Sequence, residues 1–315
     1  MNKKIILLII CGVLIIVAAA YFYITKRESS LETSAKQAPV VNFNNQGDGV
    51  RYNKDENSIE LYDNQSDSYK KVVSVNSEPI YSEISPDKKY LLYATEVSDS
   101  YEGEENLSVI DVTTSSEILS KQKIYSPRFT ANGKVVYQLI EGDSSVLKIS
   151  DIAGLTQTIT LPISEQGVIE PIDENYLVVY EFSYDVGEAT AYLVDVTNNT
   201  SSKFATGEGL KIKTVLNSKY AAIQTITDGK IGVQILQWET KQVVRNIDNI
   251  ALDDIDWKQD TYYVYAKSGA IYKSSFESIT DTKIANAPDP IVQLKLIVLN
   301  KLFISSTEKS YTTTF

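Results

Sequence analysis

Residues 80–123 read IYSEISPDKKYLLYATEVSDSYEGEENLSVIDVTTSSEILSKQK. Four short strands are legible in this segment: IYSEIS at 80–85, YLLYATE at 90–96, LSVIDV at 107–112 and EILSKQK at 117–123. LSVIDV alternates apolar and polar residues, the period of two expected of a half-buried strand. SPDKK is a tight polar turn of the kind that Asp, Asn and Gly shape because they tolerate positive φ. The unit recurs on both sides. Its second strand reappears as GVRYN, YLLYA, KVVYQ, LVVYE, YAAIQ, YYVYA and LFISS, marked by Tyr52, Tyr93, Tyr137, Tyr180, Ile223, Tyr265 and Ile304 at spacings of 41, 44, 43, 43, 42 and 39 residues. Its first turn reappears as TANGK at 130–134, IDEN at 172–175, LNSK at 216–219, KQD at 258–260 and LN at 299–300. A strand-borne period of about forty residues predicts an all-β protein, a β-propeller of four-stranded antiparallel blades. One small sheet cannot cover both its faces, but a ring of stacked sheets can. Seven repeats predict seven blades, the last three-stranded or shared, since VQLKLIV, KLFISS and SYTTTF are followed by no fourth strand. Six blades, with both termini merged in one, is the alternative.

The turn between third and fourth strands also repeats, as IDVTTSSE at 110–117, SDIAGLTQ at 150–157 and VDVTNNTS at 194–201, with Asp111, Asp151 and Asp195 at one place. An Asp there bonds nearby backbone N–H groups, so these residues are expected to be structural rather than catalytic. The run SPDKKYLLYA…LSVIDVTTSSE resembles the WD40-like (PD40-type) repeat of TolB-like propellers, which also occurs in propeller domains of dipeptidyl peptidase relatives. The second to fourth repeats carry the likeness best. The fifth has Gln237-Trp238 at the Asp place, and the sixth has SSFES. The resemblance implies a propeller and allows a protein partner. The peptidases keep their activity in a separate hydrolase domain, whose nucleophile motif is not found in this chain.

Composition narrows the chemistry. The 315 residues include 30 Lys and Arg against 41 Asp and Glu, a net charge of −11, so nucleic acid is not an expected partner. No histidine is present, which removes the commonest general base and the Ser-His-Asp triad. The lone Cys11 excludes disulfides and thiolate metal sites in the propeller. No nucleotide loop, HExxH, GxSxG or EF-hand pattern occurs. The expectation is a non-catalytic protein with no cofactor. Calcium could use the carboxylate oxygens of the loops, but their spacing fits no standard calcium loop.

Residues 1–27 hold Lys3, Lys4, an uncharged run at 5–24 and then Lys26 and Arg27. Twenty apolar residues span roughly 30 Å as a helix, so a single N-terminal transmembrane anchor is expected, with a cleavable signal peptide as the rival reading. Residues 28–39 read as a tether and 40–315 as the propeller, placed on the cell membrane with the domain outside the cytoplasm. The long loops after the second strands supply the candidate partner-binding face: Asp99, Tyr101, Glu102, Glu104 and Glu105 in the second repeat, Glu141 and Asp143 in the third, Tyr184, Asp185 and Glu188 in the fourth. Acid with exposed Tyr suits a basic protein segment or a sugar. The functional expectation is therefore a protein-binding or scaffolding module of the cell envelope. The alternatives are a carboxylate-dependent enzyme or lectin acting on surface glycans, and a structural subunit of a surface filament or secretion complex. Asp253, Asp254 and Asp256 form a further acidic knot beside Trp257, for which inter-blade packing is expected, with Asp254 and Asp256 on one strand face.

Overall fold

The structure, a computed structural model, describes residues 42–43, 49–63, 66, 68–98, 103–154, 156–163, 165–181, 187–278, 280–287, 291–298, 300–306 and 310–315. The anchor and tether expected at 1–39 lie outside these residues. Among the described residues no helix is long and apolar enough to cross a membrane.

The strands form antiparallel meanders in chain order. The first contains β1 (Asn42–Phe43), β2 (Gly49–Asn53), β3 (Ser58–Asp63) and β4 (Ser68–Ser74). The second contains β5 (Tyr81–Ile84), β6 (Tyr90–Glu96), β7 (Glu105–Asp111) and the first half of β8 (Glu117–Phe129). The second half of β8 opens the third, with β9 (Val135–Glu141), β10 (Ser144–Ser150) and β11 (Thr156–Thr160). The fourth is β12 (Gly167–Pro171), β13 (Tyr176–Glu181), β14 (Glu188–Asp195) and the first half of β15 (Thr200–Thr214), whose second half opens the fifth with β16 (Tyr220–Thr227), β17 (Lys230–Gln237) and β18 (Gln242–Asp248). A 3-10 turn (Leu252–Asp254) leads into β19 (Ile255–Gln259), β20 (Tyr262–Lys267), β21 (Ala270–Ser275) and β22 (Asp281–Asn286). The seventh has three strands, β23 (Ile291–Val298), β24 (Lys301–Ser306) and β25 (Ser310–Thr314).

Three of the first hairpin turns use positive φ at the Gly or Asn expected to take it, Gly133, Asn217 and Asn300, a fourth takes it at Lys88, and those at 172–175 and 258–260 do without. The repeated Asp is a turn builder: Asp111 Oδ1 accepts the N–H groups of Thr113 (2.8 Å) and Thr114 (2.9 Å), and Asp195 Oδ1 accepts that of Asn198 (2.9 Å).

Among the described residues seven apolar clusters fill the spaces between consecutive meanders, and each joins one pair. Leu92, Leu107, Ile124 and Phe129 lie between the second and third, and Tyr220, Ile255, Trp257 and Phe276 between the fifth and sixth. The last cluster, Tyr62, Ile297 and Phe303, joins the seventh to the first and closes the circle. Lys301 Nζ also donates to Tyr62 Oη across that seam, 2.8 Å. In the second, third and fifth to seventh meanders the marker residue faces the preceding one, whereas Tyr52 of the first faces the second. In the fourth that place belongs to Val179 and not to Tyr180. The ladder pairs Tyr176 with Asp195 as it pairs Tyr90 with Asp111, so the additional Val in LVVYE moves the marker position by one residue. Tyr180 consequently faces the fifth meander and Val179 the third.

Candidate functional site

The innermost strands β5, β8, β12, β15, β19 and β23 each place one charged residue at the same register. Glu83 lies opposite Leu92, Arg128 opposite Val136, Glu170 opposite Val178, Lys213 opposite Ala222, Asp256 opposite Val264 and Lys295 opposite Phe303. Around the axis the signs alternate without exception from the second meander to the seventh. Asp256 is buried and the other five are half-buried.

One neighbouring pair of these charges is in direct contact. Lys213 Nζ lies 3.3 Å from Asp256 Oδ1 and donates to the Ile255 carbonyl. Glu83 accepts the Phe129 N–H and the Tyr81 hydroxyl (2.8 Å). The Arg128 guanidinium stacks 3.8 Å from the Tyr81 ring centroid and donates to the Pro127 carbonyl, 2.9 Å. Burial pushes the Glu83 carboxyl up to about 7, against the opposing pull of Arg128. Burial also raises Glu170 and lowers the Lys213 ammonium to about 8, with Lys295 adding to the second effect. At Asp256 burial acts upward, but Lys213 and Lys295 together hold the carboxyl below its ordinary value. Each acid in the ring has a backbone N–H of the next blade beside it. Among the described residues no cluster of His, Cys, Asp and Glu is arranged to hold a metal ion.

The sequence-predicted face divides in three. Asp99, Tyr101, Glu102, Tyr184 and Asp185 lie outside the described residues. Glu104, Glu141, Asp143 and Glu188 stand at the ends of β6/β7, β9/β10 and β13/β14, on one rim. Glu104 is 3.9 Å from Lys123 and Glu141 is 3.0 Å from Lys148, both loose surface pairs. Asp143 and Glu188 are exposed, and Glu188 sits directly across the ladder from Glu208. None of Asp143, Glu188 and Glu208 has an ion pair among the described residues. Glu105 departs from this group. It is half-buried, turned toward Arg128 and bonded to the Ser126 N–H, with one carboxylate oxygen buried and unbonded; burial raises its carboxyl to about 7.

The acidic knot is also rearranged. The chain forms a 3-10 turn at Leu252–Asp254, so strand alternation begins only at Ile255. Asp254 accepts the Ala251 N–H (3.0 Å) and closes that turn, while Asp256 enters the axial ring. Trp257 is fully buried, its Nε1 donating to Ser218 Oγ at 3.0 Å.

A lateral cleft of about 710 Å³ opens between the fourth and fifth meanders. Phe204, Ile223 and Leu236 form its apolar floor, and Thr206, Thr225, Thr227, Gln234, Asn246 and Lys230 its polar wall. Hydroxyls and amides in this arrangement can bond a neutral polar ligand.

Sequence reasoning missed the axial ring. The signal was present: from the second repeat on, a charged residue precedes each marker by nine or ten positions, with alternating sign.

No protein-family model and no curated protein sequence matches the chain. Solved structures do. Dipeptidyl peptidase 4 from Porphyromonas gingivalis aligns with a TM-score of 0.59 at 10% identity, over 89% of this chain and 53% of that one. TolB from Acinetobacter baumannii aligns with a TM-score of 0.52 at 16% identity, over 76% of this chain and 61% of that one. Virginiamycin B lyase from Staphylococcus aureus aligns with a TM-score of 0.56 at 10% identity, over 89% and 95%. This chain thus spans about half the length of the peptidase and less than two thirds of TolB. At these identities the likeness is one of fold, and it establishes an all-β propeller.

Proposed function

We propose that the chain is a seven-bladed propeller, its last blade three-stranded, that acts by binding a protein through the acidic rim and performs no catalysis. The observation that carries this reading is the acid on one rim that has no ion pair among the described residues, Asp143 with the Glu188–Glu208 pair. Like charges directly opposed on a ladder oppose folding, and a basic partner surface relieves them. Propeller structures similar to this chain include both a peptidase and a lyase by name, so the fold alone does not decide between binding and turnover. Engagement of the axial charges by neighbouring blades favours binding. In the same reading residues 5–24 anchor the protein in the cell membrane and place the propeller outside the cytoplasm.

In-cell crosslinking of the full chain, beside a D143N/E188Q/E208Q variant, tests it. A partner captured by the wild type and lost by the variant supports the rim. Retention by both moves the interface elsewhere, and capture by neither removes the protein-binding reading. A second reading, a glycan ligand, is favoured by the hydroxyl and amide wall of the cleft between blades 4 and 5. Binding of oligosaccharides to the wild type but not to T225V/Q234L would support it, and an empty glycan panel would end it.

A further inference from the structure

The alternating ring is one part of a larger regularity with a period of two blades. The acids Glu83, Glu170 and Asp256 stand on blades 2, 4 and 6, and the bases Arg128, Lys213 and Lys295 on blades 3, 5 and 7. Each acid meets the backbone N–H of the residue that follows the base of the next blade. Glu83 takes that of Phe129 and Asp256 that of Leu296 (2.7 Å), and at the same register the Thr214 N–H pulls the Glu170 carboxyl down against burial. Three acids separated by two blades meet one N–H in one register.

Blades 3 and 5 carry a second repeated contact. Gln138 and Gln224 each follow the marker residue of their blade. Gln138 Oε1 accepts the Gly167 N–H at 2.7 Å and Gln224 Oε1 the Leu252 N–H at 2.8 Å, in each case where the chain enters the next even blade. The corresponding residues of blades 2 and 6 are Ala94 and Ala266, which can make no such bond.

The backbone follows the same grouping. β8 runs unbroken from blade 2 into blade 3 and β15 from blade 4 into blade 5, so each pair shares a seven-stranded hydrogen-bonded sheet. Both crossings carry a register shift, between Tyr125 and Arg128 and between Glu208 and Lys211. Between blades 3 and 4, and between 5 and 6, the strands are interrupted. The crossing from blade 6 to blade 7 includes residues outside the described ones.

We propose that the propeller is a ring of three two-blade units, blades 2–3, 4–5 and 6–7, with blade 1 as the single closing blade. Each unit is stapled at the axis by the acid of its leading blade. Gln138 and Gln224 clasp one unit to the next. The alternation of sign sets which blade can follow which, because an exchange or loss of one blade would bring like charges together at a half-buried axis. A ring of seven cannot alternate throughout. The described residues of β1, Asn42 and Phe43, contribute no charge at the odd place. The axis is on this view a structural element, and ligands are left to the rim and the lateral cleft.

Hydrogen exchange read by mass spectrometry on the full chain tests the unit. Glu170→Ala removes one staple and leaves both adjoining Gln clasps. The expected result is faster exchange, by tenfold or more, in β13, β14, β16 and β17 together, with blades 2–3 and 6–7 at wild-type rates. Asp256→Ala should act in the same way on blades 6 and 7, and it also releases Lys213 of blade 5 from its ion pair at 3.3 Å. Acceleration confined to the blade that carries the substitution, or spread evenly round the ring, overturns the proposal. Glu170→Gln keeps an oxygen for the Thr214 N–H and is the variant to read if Glu170→Ala does not fold. It should loosen the same two blades, more weakly. Gln224→Leu is the control, because it should leave blades 4 and 5 coupled and speed exchange only at the entry to blade 6 around Leu252.

Discussion

At the residue scale, two groups of carboxyls pull the pH dependence in opposite directions. Glu83 and Glu105 have folded values of about 7, above the ordinary carboxyl value near which they titrate when unfolded. The folded state therefore binds more protons in the window from about 4.5 to about 7, and stability falls as pH rises through it. Glu83→Gln should remove its share of this slope. The wild type should lose roughly 1–3 kcal/mol between pH 5 and pH 8 and the variant clearly less, by urea titration at each pH. Asp281 is the reverse case. Arg245 grips both its oxygens at 2.7 Å across the boundary of blades 5 and 6, Tyr265 adds a bond of 2.8 Å, and its carboxyl is held at about 2. Its contribution is complete above the unfolded carboxyl value and is lost as pH falls toward 2. Asp281→Asn leaves the half-buried Arg245 without its counter-charge. It should cost about 1–3 kcal/mol at pH 7 and nothing at pH 2, since the pair is partly exposed.

At the scale of the element, β15 is the most demanding strand. It leaves blade 4 at its outer edge and enters blade 5 at the axis, so its backbone must pass close against β16. Gly207 and Gly209 allow this. A Cβ at Gly207 would meet Thr225 Cγ2 at 2.6 Å, and one at Gly209 would meet Ile226 Cδ1 at 2.7 Å with φ at +60°. Gly209→Ala should lower the unfolding free energy by about 2 kcal/mol or more, and Gly207→Ala by about 1 to 3, by denaturant titration. An equal substitution at Gly229, in an open turn, lacks the steric part of that penalty. The strands themselves were legible from period and turn chemistry, and IYSEIS, YLLYATE, LSVIDV and EILSKQK fall on β5 to β8. Two things were hidden by the very alternation that made strands readable. The fourth marker slipped by one because LVVYE is apolar on both faces, both being covered by neighbouring blades. The axial charges looked like ordinary polar positions of a half-buried strand, and nothing local distinguishes a residue facing water from one facing five other charges. Glu105 was read as a loop acid for the same reason, although its strand begins at that residue and turns it toward Arg128.

For the whole molecule, closure is the weakest join. Among the described residues the other interfaces bury larger clusters, such as the Trp257 and Phe276 group between blades 5 and 6, while the seam between blades 7 and 1 buries Tyr62, Ile297 and Phe303 with Tyr69 packed against them. No strand of one end completes the blade of the other among the described residues. β24 offers a direct test because its successive residues serve two interfaces. Phe303 faces the seam, and Ile304 faces blade 6 with Leu294, Leu296 and Val264. Ile304→Ala removes a fully buried side chain from a well-packed interface and should cost about 2–5 kcal/mol in a cooperative transition. Phe303→Ala should act differently. Phe303 is one of three buried apolar residues of the seam cluster among the described residues, so blades 1 and 7 should exchange amide hydrogens and admit protease at denaturant concentrations where blades 3 to 6 remain protected. A ring that instead frays first between blades 5 and 6, or unfolds as one unit in both variants, would mean that closure is carried by something other than this small cluster and the Lys301–Tyr62 bond. A ring that opens at one known seam also keeps its stapled blades, and the acidic rim they carry, intact while it does so.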